Sequence, residues 1–144
     1  MGMNRNLKSL VEASEGKIWK EKSGSEHNIY PKVLRGMDLR GLILMDADLR
    51  AANFADSNLQ RAIFHDADLE GATLWSAKMT GSDFQGADLK GSDLSGVNLS
   101  DTKFGGTVFD GAKFAGADMK GADFSNARNL DKAVWPKGYK LVKE

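Results

Sequence analysis

From Leu39 to Phe124 a large apolar side chain returns at every fifth position, eighteen times without an insertion. Leu holds nine of these centre positions, Phe seven and Met two (Met79 and Met119), and no Phe of the chain lies elsewhere. Two residues before the centre the side chain is small in 15 of 18 repeats: Ala in ten, Ser57, Ser82 and Ser92 in three, Thr102 and Thr107 in two. One residue before the centre stands Asp or Asn in 11 of 18 repeats, and two residues after it stands Gly in 10 of 18.

A period of five fits neither regular element. On an α-helix, five residues advance about 500°, so successive centres wind around the cylinder and form no single apolar stripe. On a flat strand, an odd period sends successive centres to opposite faces. The pattern works only if the chain bends once per repeat. The small residue and the centre then point inward, the residue between them points out, and the next two turn the corner. Gly suits such a corner because it tolerates positive φ, and Asp or Asn bonds nearby backbone. Bends of one hand coil the chain into an all-β solenoid, each coil lying on the next at about 4.8 Å. The period leaves the number of sides open. A four-sided coil has 20 residues and stacks Phe64, Phe84, Phe104 and Phe124, a column that seven Phe in 18 places support only slightly.

The motif Ala-(Asp/Asn)-(Leu/Phe)-X-Gly, as in Ala87-Asp88-Leu89-Lys90-Gly91, with Ala122-Asp123-Phe124-Ser125-Asn126 as a close variant, resembles the pentapeptide repeat family. The resemblance covers residues 37–126. It implies a right-handed, four-sided parallel β-helix, and some members carry an N-terminal capping helix.

The ends lack the repeat and read as caps. Within 1–36, Leu7, Leu10, Val11, Ser14 and Ile18 follow helical spacing, which predicts a helix over roughly 5–22. Met37 and Leu42 occupy the first two small positions, where bulky groups suit a coil covered by that helix. In 127–144 the register slips by one near Arg128. Leu130 then takes a centre, Ala133-Val134-Trp135 reads as a last repeat, and Trp135 and Tyr139 are placed to roof the final coil.

Composition narrows function. There are no cysteines, so disulfide frameworks, zinc-thiolate sites and thiol nucleophiles are excluded. Twenty basic and twenty acidic residues balance, which argues against direct nucleic-acid binding. No apolar run has the length of a membrane span, and the N-terminus lacks a signal pattern, so a cytoplasmic location is expected. His27 and His65 stand in no ligand or nucleophile arrangement, and no phosphate-binding Gly motif occurs. No catalytic, cofactor-binding or metal-binding residue is therefore assigned, and the chain is not read as an enzyme.

The outward positions are where function must lie. Ile43, Met45, Ile63 and His65 fall on two stacked repeats of one side and form a candidate partner-binding patch, with Trp75 outward on the opposite side. Asp48, Asp68 and Asp88 form a candidate acidic stripe, read either as turn residues bonding backbone or as a surface for a cation-rich protein. Arg50, Glu70, Lys90 and Asp110 make an adjacent column of alternating sign. The expected function is a non-catalytic protein-binding or scaffold protein, monomeric or weakly dimeric, with an unidentified protein partner. The alternative rests on the resemblance. Some family members mimic duplex DNA, bind DNA gyrase and protect it from quinolones, and the formal charge of −6 over 37–126 is compatible with that role.

Overall fold

The computed structural model describes Lys20–Glu21 and residues 34–140. Within them one local unit recurs. The N–H of each small residue donates to the carbonyl of the preceding centre, as from Ala52 to Leu49 at 3.0 Å. The residue just before the small one has positive φ at every fifth position from Gly36 to Asn126. One left-handed residue in third place of a four-residue turn is the type II pattern, so each repeat turns its own corner.

Between corners the chain is extended and bonds to the coil on either side. Asp68 N–H donates to Ala47 O at 2.9 Å, and Leu49 N–H donates to Asp68 O at 2.8 Å. Parallel bridges join Asp38 to Asn58, Ile43 to Ile63, Asp48 to Asp68 and Asn53 to Thr73, and continue at a spacing of 20 as far as Val108 and Arg128. Twenty residues per coil at five per corner makes four sides, as the resemblance implies. We number the faces by their centres: face 1 from Leu39, face 2 from Leu44, face 3 from Leu49 and face 4 from Phe54.

The centres fill the axis in four columns. Every centre from Leu39 to Phe114 is wholly buried. On face 2, Phe64, Phe84, Phe104 and Phe124 stack with centroid separations of 4.6, 5.5 and 5.0 Å and interplanar angles no larger than 23°. The 20-residue coil thus places like on like, because coil spacing matches ring-stacking distance.

The two ends differ. At the C-terminal end Lys113 pairs with Val134, a spacing of 21, and a 3-10 helix over Leu130–Lys132 takes up the extra residue after Asn129, whose φ is 58°. Trp135 lies parallel to Phe114 at 4.6 Å, its indole N–H donates to Leu130 O at 2.9 Å, and Tyr139 stacks on it at 5.2 Å. At the N-terminal end, strand β1 (Lys20–Glu21) pairs antiparallel with β2 (Ala47–Asp48), Lys20 opposite Asp48. The helix expected over 5–22 therefore does not hold at Lys20–Glu21. Among the described residues no coil precedes the first, so its edge N–H and C=O groups need partners, and an extended segment supplies them where a helix does not. The rest of that expected helix lies outside the described residues. Leu39, Leu42, Leu44 and Leu49 of the first coil are wholly buried, whereas Met119 and Phe124 of the last are only partly so. No helix among the described residues is long and apolar enough to cross a membrane.

Candidate functional site

The fold turns each outward wall into a ladder two residues wide per rung. All eleven Asp or Asn residues before a centre accept a hydrogen bond from the backbone N–H two residues on, at 2.9–3.3 Å. These side chains shape the corner first, and present charge outward second.

The Asp48, Asp68 and Asp88 column on face 3 shows both roles. The three are joined by bridges, and each bonds its own corner. Arg50 grips Asp48 with Nε at 2.8 Å and Nη2 at 2.7 Å, and its Nε also lies 4.0 Å from Asp68 Oδ2. That hydrogen-bonded fork, reinforced by the charge of Asp48, raises the Arg50 pKa further above its ordinary value. Lys90 Nζ stands 3.4 Å from Asp88, whose charge raises the Lys90 pKa. Asp68, Glu70 and Asp88 bring carboxylate oxygens within 4.8 Å of one another, a cluster the linear sequence did not single out. Arg50 and Lys90 offset part of this charge, and with Asp48, Asp68, Glu70 and Asp88 the wall stays net acidic. Further along the same corner, Asp110 accepts from Asn129 Nδ2 at 2.8 Å and lies 3.8 Å from Lys132 Nζ.

Face 2 carries the apolar patch. Ile43 and Ile63 are bridged neighbours and half-buried, and Met45 at the corner is 46% exposed. His65 Nε2 lies 2.7 Å from Asp83 Oδ2, the distance of an ion pair without the alignment of a hydrogen bond. Burial opposes ionisation of Asp83. The His65 contact and the Gln85 backbone N–H outweigh it and hold the carboxyl below its ordinary value. Trp75 stands apart on face 4. The Arg35 guanidinium sits 4.9 Å over its ring and also pairs with Asp56 at 3.1 Å, while Ala55, between Arg35 and Trp75 in the same column, is wholly buried. The structure thus brings Ile43, Met45, Ile63 and His65 together and leaves Trp75 on the opposite wall.

The inward hydroxyls are packing groups. Ser57 and Ser92 donate to the carbonyls of Phe54 and Leu89 at 2.6 and 2.7 Å, and Thr107 donates to Phe84 O at 2.6 Å. Ser82 is buried with no partner. His27 lies outside the described residues.

These features have counterparts in known proteins. Residues 33–66, 57–96 and 92–128 match the family described as Pentapeptide repeats (8 copies). Nothing among curated proteins matches. Among solved structures, HetL of the cyanobacterium Nostoc, a pentapeptide repeat protein involved in heterocyst differentiation regulation, is similar at 28% identity and a TM-score of 0.60. The match covers 76% of this chain and 53% of HetL, so the chain spans about half the length of that protein. A pentapeptide repeat protein of the Arabidopsis thaliana thylakoid lumen is 34% identical over 67% of this chain and 71% of its own, with a TM-score of 0.47. Trypsin-treated QnrB1, a plasmid-mediated fluoroquinolone resistance protein, is 20% identical over 76% of this chain and 71% of its own, with a TM-score of 0.32. With the family match spanning 33–128 and the same repeat closing four-sided coils, the chain belongs to the pentapeptide repeat family, whose proteins form right-handed β-helices.

Proposed function

We propose that this protein is a non-catalytic binding or scaffold protein of the cytoplasm that engages another protein through the N-terminal half of face 2. The observation that carries this reading is the exposed Met45 beside Ile43, Ile63 and His65, on a wall whose other rungs are polar. A flat wall with one apolar step suits a protein partner better than a small molecule, which needs a concave pocket. Pentapeptide repeat proteins are generally structural or binding proteins, and HetL is described by a regulatory role, not by a reaction.

The acidic stripe lends the DNA-mimic reading only weak support, because Arg50 and Lys90 pair with Asp48 and Asp88 and offset two of its three charges. Two assays separate the readings. Affinity capture with the full chain and with an Ile43→Ser, Met45→Ser, Ile63→Ser variant is followed by reassembly from the purified partner. Loss of binding in the variant at unchanged melting temperature is expected, and equal binding overturns the face 2 assignment. In a gyrase supercoiling assay with quinolone, the protein is expected to give no protection, and protection at micromolar protein would favour the topoisomerase reading instead.

A further inference from the structure

Face 2 changes character along the rod. Its first two rungs carry Ile43 with Met45 and Ile63 with His65, and its next three carry Asp83, Lys103 and Asp123 outward. The corners change at the same place. Beside the first two rungs, three of the four left-handed places hold charged side chains: Asp46, Arg61 and Asp66, each exposed and each with φ of 59°. Beside the next two rungs, Gly81, Gly86 and Gly106 fill three of the four. Gly meets a left-handed corner without steric strain, and a side chain does not. Strain kept around the apolar rungs and relieved beyond them marks side chains that serve more than the turn.

These charges are ordered across the patch. Arg61 borders it at the corner from face 1. Asp46 and Asp66 border it at the corner toward face 3. Gly86 leaves room for the Asp66 carboxylate, which a Cβ in that place would strike. On face 3 itself Asp68, Glu70 and Asp88 extend the negative charge, and Arg50 and Lys90 offset only part of it. The apolar rungs therefore have one positive side chain on one border and a broad negative wall along the other.

We propose that the protein segment taken by face 2 is both apolar and basic, with aliphatic side chains on Ile43, Met45 and Ile63 and Lys or Arg over Asp46 and Asp66. This rests on the face 2 reading above and adds the chemistry of the partner to it. Charge complementarity selects that occupant, because an acidic segment on the same rungs meets like charge along the wider border. The apolar rungs supply the anchor, and the charged corners supply the choice of partner and its direction across the wall.

Calorimetric titration of the full chain with three synthetic peptides of equal length tests this: an amphipathic Leu/Lys peptide, its Leu/Glu counterpart and a Ser/Lys peptide. The Leu/Lys peptide is expected to bind about tenfold or more tighter than either of the others, and to weaken as salt rises from about 0.05 to 0.5 M. An Asp46→Gly, Asp66→Gly variant should bind it about five- to tenfold more weakly with no drop in melting temperature, because Gly suits both corners. A Met45→Ser, Ile63→Ser variant should lose it. Equal affinity for the Leu/Lys and Leu/Glu peptides, or full affinity in the Asp46→Gly, Asp66→Gly variant, overturns the basic partner and leaves face 2 as the site. Full affinity in the Met45→Ser, Ile63→Ser variant overturns face 2 as well. Equal binding of the Ser/Lys peptide overturns the proposal, since charge alone then suffices, and so does binding of none of the three. A dimer that the Leu/Lys peptide merely dissociates, seen by sedimentation, overturns it too, because a second copy then occupies the patch.

Discussion

The left-handed corner is the residue-scale constraint that every repeat must meet. Eight of the nineteen corner positions from Gly36 to Asn126 are filled by residues other than Gly, among them Ala51 with φ of 57°. A side chain in that region costs about 1–2 kcal/mol, and Gly gives back part of it through greater freedom when unfolded. Ala51→Gly should therefore stabilise by about 0.5–1 kcal/mol in denaturant titrations. Ser82 offers the inward counterpart. Its hydroxyl is buried and unbonded in a place where ten repeats use Ala. Ser82→Ala should gain about 1 kcal/mol and raise the melting temperature, while Ser57→Ala, which breaks a bond to Phe54 O, should not. Asp83 sets an acid limit. Its folded pKa lies below the ordinary 3.8, so the stability it lends is full above that value and is lost as pH falls through the folded value. In melts from about pH 7 to about pH 2, Asp83→Asn should start lower and fall less than the parent protein.

A pentapeptide is not an independent element. Its extended part is too short for a strand that stands alone, and its stability comes from the rungs above and below. The inward and outward places consequently differ sharply in tolerance. Leu89 is wholly buried in the middle of the rod, whereas Lys90 points outward beside Asp88 with its side chain 44% exposed. Leu89→Asp should cost about 3–5 kcal/mol, and Lys90→Asp no more than about 1 kcal/mol. Paired thermal melts decide, and similar small losses would contradict the assignment of inward and outward places. This alternation was legible residue by residue in the sequence, down to the inward Ser57, Ser82 and Ser92. The pairing of Arg50 with Asp48 was not, because a column of like charges gives no sign of which neighbour folds back across it. The same holds for the Arg35 guanidinium over Trp75, a contact between residues 40 positions apart.

At the scale of the molecule, the rod is a stack in which each coil leans on its neighbours, so its ends decide where it opens first. Trp135 spans the axis by stacking on Phe114 of face 4 and meeting Phe124 of the opposite face 2 edge-on at 5.5 Å. Trp135→Ala should cost about 2 kcal/mol, and the loss should be local. Amide exchange should quicken over 115–134 while the stacked Phe64–Phe84 region keeps its protection. Uniform quickening along the rod would show that it opens as one unit. The same one-dimensional logic governs the surface. Stacked coils spread the outward side chains over successive rungs, two to a rung on each wall.

By itself the sequence determined the inward column, the bend at every fifth residue, the buried identity of the small places and the slip near Arg128. Each depends on neighbours close along the chain, where spacing translates directly into direction. Only the tertiary structure decided that a coil closes after four corners, that β1 is extended against Asp48, and that Asp68 and Asp88 gather their carboxylates with Glu70 on one wall. Those depend on residues 20 or more positions apart, whose meeting is set by the closure of the coil and by unpaired backbone at its edges, and no local pattern encodes them.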